Sequence, residues 1–208
     1  MLTEPTVFLV IAGETERDFL KGIVSSMGLR VESFATAEAY LRILDHTRPG
    51  CIVLDAELPD MSGLDLHARA LDRGSFIPAI FLSKSSDMEL AVRAMKAHAF
   101  DFLLWSTDAL VLMNRIDQAI QLDAEARHDR AKRQEAAARL ARLTPREREV
   151  FELIISGKAN KQIAARLALS EKTVEFHRAK LKKKLEAEST AELVRMSVLG
   201  GPHDNTKP

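Results

Sequence analysis

The sequence predicts an α/β protein with a second, all-α domain. The first part reads as a doubly wound, five-stranded parallel sheet, the second as a helix-turn-helix domain, and a helical linker joins them. Three observations carry this. Short apolar runs alternate with amphipathic stretches through residues 1–120. A stretch free of Gly and Pro, rich in Ala, Arg and Glu, runs from Gln121 to Arg142. A capped, multi-helix pattern then fills 143–200, leaving a polar tail at 201–208 that is expected to be disordered.

The apolar runs are Thr6–Ile11, Leu29–Phe34, Cys51–Asp55, Ile77–Leu82 and Phe100–Leu104. Each is short enough for a strand buried on both faces. Helical patterns lie between them at Glu14–Met27, Ala37–Leu44, Leu64–Leu71 and Met88–Ala97. Strands alternating with helices predict parallel pairing through crossover helices. Ligand chemistry in such a sheet collects at the carboxyl ends of the strands. That places Ile11 and Ala12, Asp55, Ser83 and Trp105 around one site.

Residues 108–142 read as one long helix or two in tandem, with Ile116, Ile120, Ala124, Ala131 and Ala138 as a weak apolar stripe. Such a linker is semi-rigid. Pairing with a second copy is the other use of the stripe.

Beyond it, Thr144 caps a helix, Pro145 takes its first position, and Glu147 completes a capping box. Gly157 stops that helix. Asn160 starts a short one ending at Leu167, Ala168 and Leu169 turn, and Ser170 caps a third helix from Glu171 to Leu185. Thr190 is the expected cap of a fourth, Ala191–Leu199. Two helices on a tight turn, the second rich in lysine, have the shape that enters a DNA major groove.

At about 100° per residue, Val174, Leu181 and Leu185 share one face of the third helix, with His177 at its edge. They are expected to pack on Ile163, Leu167 and Val150. The opposite face carries Lys172, Glu175, Phe176, Ala179, Lys182 and Lys183. Lys161, Lys172, Lys180, Lys182, Lys183 and Lys184 suit phosphate contacts, which set affinity more than sequence choice. A solvated face is the plainer reading of the run Lys182–Lys184. Glu175 suits a cytosine amino group, or else pairs with Arg178 along the helix. Phe176 and Ala179 suit thymine methyls; Phe176 has burial between domains as its alternative.

Charge supports the division. The 208 residues carry 30 Lys and Arg against 30 Asp and Glu. Residues 1–124 hold 11 against 18, and residues 125–208 hold 19 against 12. An acidic front and a basic back point to different partners, with a polyanion for the basic one. The single cysteine, Cys51, excludes an internal disulfide or a cysteine metal cluster and reads as a small core residue. The N-terminus lacks the pattern of a signal peptide, and no apolar stretch nears the roughly 18 residues of a membrane span. A cytoplasmic protein is expected, with double-stranded DNA as partner and no membrane. No phosphate-cradling glycine loop or nucleophile–base pair is present, which argues against an enzyme.

The run from Val53 to Leu66, VLDAELPDMSGLDL, gives the front domain a family resemblance. Residues 6–120 resemble a response-regulator receiver, and the whole chain resembles the FixJ/NarL group. The run LTPREREV from Leu143, then Asn160-Lys161-Gln162-Ile163-Ala164, Ser170, Thr173-Val174 and His177, is similar to the LuxR-type helix-turn-helix of that group. The resemblance implies that Asp55 stands at the phosphoacceptor position, Ser83 at the position sensing the phosphoryl group, and Phe102 at the aromatic switch position. It implies Thr173 among the DNA-facing residues.

It also implies an acidic pair after the first strand and a lysine after the fifth, which hold Mg²⁺ and neutralise phosphoryl charge. Here Ile11 and Ala12 stand for the pair, Trp105 for the lysine and Ser106 for the proline after it. Ile11 and Ala12 supply no side-chain oxygen for Mg²⁺, so no cofactor is expected. Glu14, Glu16 or Glu57 would be needed to rescue a weak metal site; Glu14 and Glu16 more simply suit a helix start. Asp55 is then either a leftover carboxylate or a retained regulatory group. Trp105 either fills the former site or meets a partner.

Three functions follow. The first is a DNA-binding transcription regulator, dimeric on two half-sites, with a degenerate receiver biased by something other than phosphorylation. The second is an ordinary regulator activated at Asp55. The third is an interaction module that titrates a signalling protein.

Overall fold

The computed structural model describes residues 4–201. It divides into two compact units between Arg127 and His128. The tail expected to be disordered lies outside the described residues from 202 onward.

The first unit holds five strands: β1 (Thr6–Val10), β2 (Arg30–Phe34), β3 (Gly50–Asp55), β4 (Ala79–Ser83) and β5 (Asp101–Leu104). They pair in parallel in the order β2-β1-β3-β4-β5. Between them lie α1 (Glu14–Ser26), α2 (Ala37–Ile43), α3 (Gly63–Asp72) and α4 (Met88–Lys96). The period-two geometry of a strand sends alternate side chains to opposite faces. Phe8, Val10, Ile52, Leu54, Ala79 and Phe81 pack one way, against Tyr40 and Leu41 of α2, Leu66 of α3 and Ala94 of α4. Val7, Leu9, Cys51, Val53, Ile80 and Leu82 pack the other way, against Leu20 and Val24 of α1 and against Leu112, Ile116 and Ala119. Cys51 is the buried core residue that its apolar run implied.

Helix α5 spans Ala109–Ala141 as one continuous element. Of its expected apolar stripe, Ile116 is buried, while Ala124, Ala131 and Ala138 are exposed. The inward positions are instead Leu112, Ile116, Ala119 and Asp123 in the first unit. In the second unit they are Ala136 and Leu140. Leu112, Ile116 and Leu140, with their larger apolar area, set the helix phase, and Ala119 and Ala136 share that face while the other alanines lie off it.

Asp123 is a charged residue at a core position, and its environment explains it. Its Oδ2 accepts the Gly50 N–H at 2.8 Å and Arg127 Nε at 2.7 Å. The same guanidinium donates to the carbonyls of His46, Thr47 and Arg48. One carboxylate and one guanidinium thus fix the edge where β3 begins. Gly50 sits there at φ 142°, and a Cβ would stand 1.8 Å from the Thr6 carbonyl oxygen.

The second unit holds α6 (Pro145–Ile155), α7 (Asn160–Leu167), α8 (Glu171–Leu185) and α9 (Thr190–Gly200), with the last turns of α5. Its core gathers Leu140, Leu143, Val150, Phe151, Ile154, Ile163, Val174, Leu181, Leu185 and Leu193. The turn between α7 and α8 puts Ala168 in the left-handed region at φ 53°. The cap of α9 is Ser189, whose hydroxyl accepts the Glu192 N–H, rather than Thr190, which is already helical.

Arg127→Ala leaves the buried Asp123 carboxylate without its charged partner. It should destabilise the sheet unit by about 2–4 kcal/mol. Urea unfolding measures this, and hydrogen exchange should show the Gly50 amide losing protection.

Candidate functional site

Each unit presents one candidate site. In the first, it lies at the carboxyl ends of β1, β3, β4 and β5. Asp55 ends β3 and is 9% exposed. Its Oδ1 accepts the Trp105 indole N–H at 2.9 Å, and its Oδ2 accepts the Ala12 backbone N–H at 3.0 Å. Burial pushes the Asp55 carboxyl above its ordinary range, and the two hydrogen bonds oppose that shift. Ile11 is fully buried and belongs to the core on the α1 side, against which Trp105 also packs.

The loop after Asp55 is built from short-range chemistry. The Gly63 N–H donates to the Ala56 carbonyl, and a Cβ at Gly63 would stand 2.4 Å from the Asp55 carbonyl oxygen. Asp60 accepts the N–H groups of Ala37 and Glu38, so the loop caps the start of α2. The Ser62 hydroxyl caps α3.

Ser83 is engaged with its own turn. Its hydroxyl donates to the Ser85 carbonyl and accepts the Ser85 N–H. Phe102 is half-buried and stacks on Phe81, with ring centroids 6.4 Å apart. An open cavity of about 390 Å³ borders Ala12, Asp55, Glu57, Ser83, Lys84 and Trp105.

Sequence reasoning missed two participants, Lys84 and Arg17. Lys84 forms an ion pair with Glu16 at 2.7 Å; the contact holds the Glu16 carboxyl below its ordinary range and raises the Lys84 ammonium. Arg17 donates to the carbonyls of Ile11 and Ala12 and braces the loop that presents the Ala12 N–H. Lys84 directly follows Ser83, which was a signal; nothing in the sequence marked Glu16 as its partner. Glu14 and Glu16 do lie in the first turn of α1. Among the described residues, no group of three or more His, Cys, Asp or Glu is placed to hold a metal ion.

In the second unit, α8 buries Val174, Leu181 and Leu185 and exposes Lys172, Glu175, Phe176, Ala179, Lys180 and Lys183. Phe176 is 65% exposed, with the His177 ring against its edge. Lys161 is exposed at the start of α7. The Thr173 hydroxyl shares a hydrogen bond with the capping Ser170. Glu175 meets Asn160 of α7, whose side-chain amide lies 3.5 Å from its Oε1.

Two lysines of α8 turn toward α6. Lys184 Nζ is 2.5 Å from Glu147 Oε2, and Lys180 Nζ is 3.8 Å from Oε1. Glu147 Oε2 also accepts the Thr144 N–H, while the Thr144 hydroxyl accepts the Glu147 N–H. The expected capping box is present and reaches further than expected, into the lysine-rich helix.

With this geometry in view, comparisons with known proteins define the class. Residues 8–117 match the response regulator receiver domain family, and residues 141–197 match the bacterial regulatory proteins of the luxR family. The chain is 34% identical to the response regulator protein TmoT of Ectopseudomonas mendocina, over 93% of this chain and 88% of that protein. It is 36% identical to the transcriptional regulatory protein FixJ of Rhizobium meliloti (strain 1021), over 96% and 98%. Among solved structures it resembles the response regulator StyR, with a TM-score of 0.86 at 36% identity over 94% of this chain and 99% of that one. Full-length FixJ from B. japonicum matches with a TM-score of 0.58 at 35% identity over 96% and 98%.

The protein is therefore a DNA-binding regulator of transcription with a receiver-type sheet domain. It belongs to the response regulator family, in the FixJ-like group that carries a LuxR-type helix-turn-helix. No helix among the described residues is long and apolar enough to cross a membrane.

Hydrogen bonds from Lys184 and Thr144 hold the Glu147 carboxyl at about 2, below its ordinary 4.5. The group favours folding above the unfolded value, and that contribution fades as pH falls from 4.5 toward 2. Glu147→Gln should flatten this acid limb of the helical unit's stability, as measured by circular dichroism during acid titration.

Proposed function

We propose that this response regulator controls transcription without Mg²⁺-dependent phosphorylation of Asp55. The observation that carries this is the double hydrogen bond on the Asp55 carboxylate. Phosphoryl transfer needs a free carboxylate oxygen as nucleophile and positive charge to offset the incoming oxygens. Here Trp105 Nε1 takes one oxygen and the Ala12 N–H takes the other. The indole supplies a donor but no charge.

Mg²⁺ requires near-octahedral oxygen ligands. Ile11 points its side chain into the core and Ala12 has only a methyl, so the residues present do not fit the ion. Glu16, one of the candidates for rescue, is engaged with Lys84. The receiver is therefore a degenerate one, and the bias on the regulator comes from a partner, a ligand or protein concentration.

The DNA reader uses α8. Lys161, Lys172, Lys180 and Lys183 serve the phosphates, while Glu175, Phe176 and Ala179 meet base edges. Thr173 holds the start of the helix at the groove through its bond to Ser170. A single α8 spans few base pairs, so two copies on paired half-sites supply specificity.

Asp55→Asn should leave affinity for a selected DNA site within about twofold, and acetyl phosphate should not label the parent chain. Labelling of Asp55, together with a loss of regulation in the Asn variant, would sink the proposal and restore the phosphorylation-driven reading. On the DNA side, Phe176→Ala should weaken specific binding more than non-specific binding. Lys183→Ala should weaken both and reduce the salt slope by about one phosphate contact. Anisotropy titrations at two salt concentrations separate the pair.

A further inference from the structure

Glu175 and Asn160 come from different helices of the helix-turn-helix. Asn160 opens α7 and is half-buried; Glu175 lies in the second turn of α8 and is exposed. The Asn160 amide donates to Glu175 Oε1 at 3.5 Å. No pair with Arg178 forms among the described residues, which removes the alternative partner along the helix. The long bond steers the carboxylate without consuming it, because Oε2 has no partner among the described residues.

A carboxylate on a DNA-facing surface repels phosphates, so it is favourable only where it meets a donor. The major groove offers two such donors on base edges, the N4 amino group of cytosine and the N6 amino group of adenine. Adenine sets its N7 acceptor beside N6, and that lone pair opposes a carboxylate. Cytosine sets an apolar C5–H beside N4. Two neighbours of Glu175 on the exposed face of α8 are also apolar, Phe176 at 65% exposure and Ala179 one turn on, while Lys172 lies one turn before it.

We propose that Asn160 and Glu175 work as one unit that specifies a C·G pair. Asn160 is the positioning residue, Glu175 accepts from the cytosine amino group, and Phe176 covers the C5 edge of the adjoining pyrimidine. This rests on the DNA-reading role of α8 proposed above.

The test starts by selecting DNA from a random library with the full chain. Affinities for duplexes carrying each of the four pairs at the cytosine position are then measured by anisotropy. The parent should prefer C·G. Asn160→Ala should lower that preference about tenfold while non-specific affinity stays unchanged. Glu175→Gln should move the preference to A·T, because a carboxamide both donates to N7 and accepts from N6. Replacing an adjoining thymine by uracil should weaken the parent and leave Phe176→Ala unaffected.

A uniform loss across all duplexes in Asn160→Ala, with its thermal transition matching the parent, would overturn the assignment. So would retention of the cytosine preference in Glu175→Gln. Failure to select any sequence would instead overturn the DNA reading itself, and the assignment with it.

Discussion

The receiver unit is organised around one satisfied carboxylate. Asp55 lies at the end of a fully buried strand, where an ionised group without partners would be costly. Its two oxygens receive an indole N–H from the end of β5 and a backbone N–H from the end of β1. These three strand ends are thereby tied at one point. The surrounding loops follow from it: Arg17 braces the Ala12 turn, and Gly63 lets the next helix approach the Asp55 carbonyl. In a receiver that binds a metal, cations would hold these elements together. Here two neutral donors, the Trp105 indole and the Ala12 amide, hold the carboxylate.

The helical unit is centred on Glu147 in a similar way. As a capping residue it satisfies the Thr144 N–H, and as an anion it gathers Lys184 and Lys180 from α8. One side chain therefore begins α6 and fixes the far half of α8 against it. Lys184 is occupied structurally, which leaves the exposed positive charge of α8 to Lys172, Lys180 and Lys183. On the proposed DNA-reading role of α8, the helix would offer DNA a narrower set of cations than its sequence of lysines implies.

The fold was largely legible because its signals are local. Apolar runs marked all five strands, and the caps at Thr144 and Ser170 marked α6 and α8. Errors arose where neighbouring residues offered the same chemistry. Ser189 and Thr190 are both good caps, and only the backbone decides between them. The alanines of α5 mimicked a stripe because periodicity ignores how little a methyl buries. Of the site, Asp55 and Trp105 were legible as strand-end residues, but their bond joins positions 50 residues apart. The Asp123–Gly50 bond spans 73 residues and was hidden for the same reason. Spacing reports what one element can do, and it is silent on which elements meet.

Trp105 is the only tryptophan in the chain. Its indole N–H rests on the carboxylate that defines the receiver site. Near-ultraviolet emission excited at the indole band therefore comes from that one position. Any partner or small molecule that loosens the Trp105–Asp55 bond changes the polarity around the ring and so its emission maximum. The residue that bonds the Asp55 carboxylate thus equips the protein with a built-in optical reporter of changes at that site.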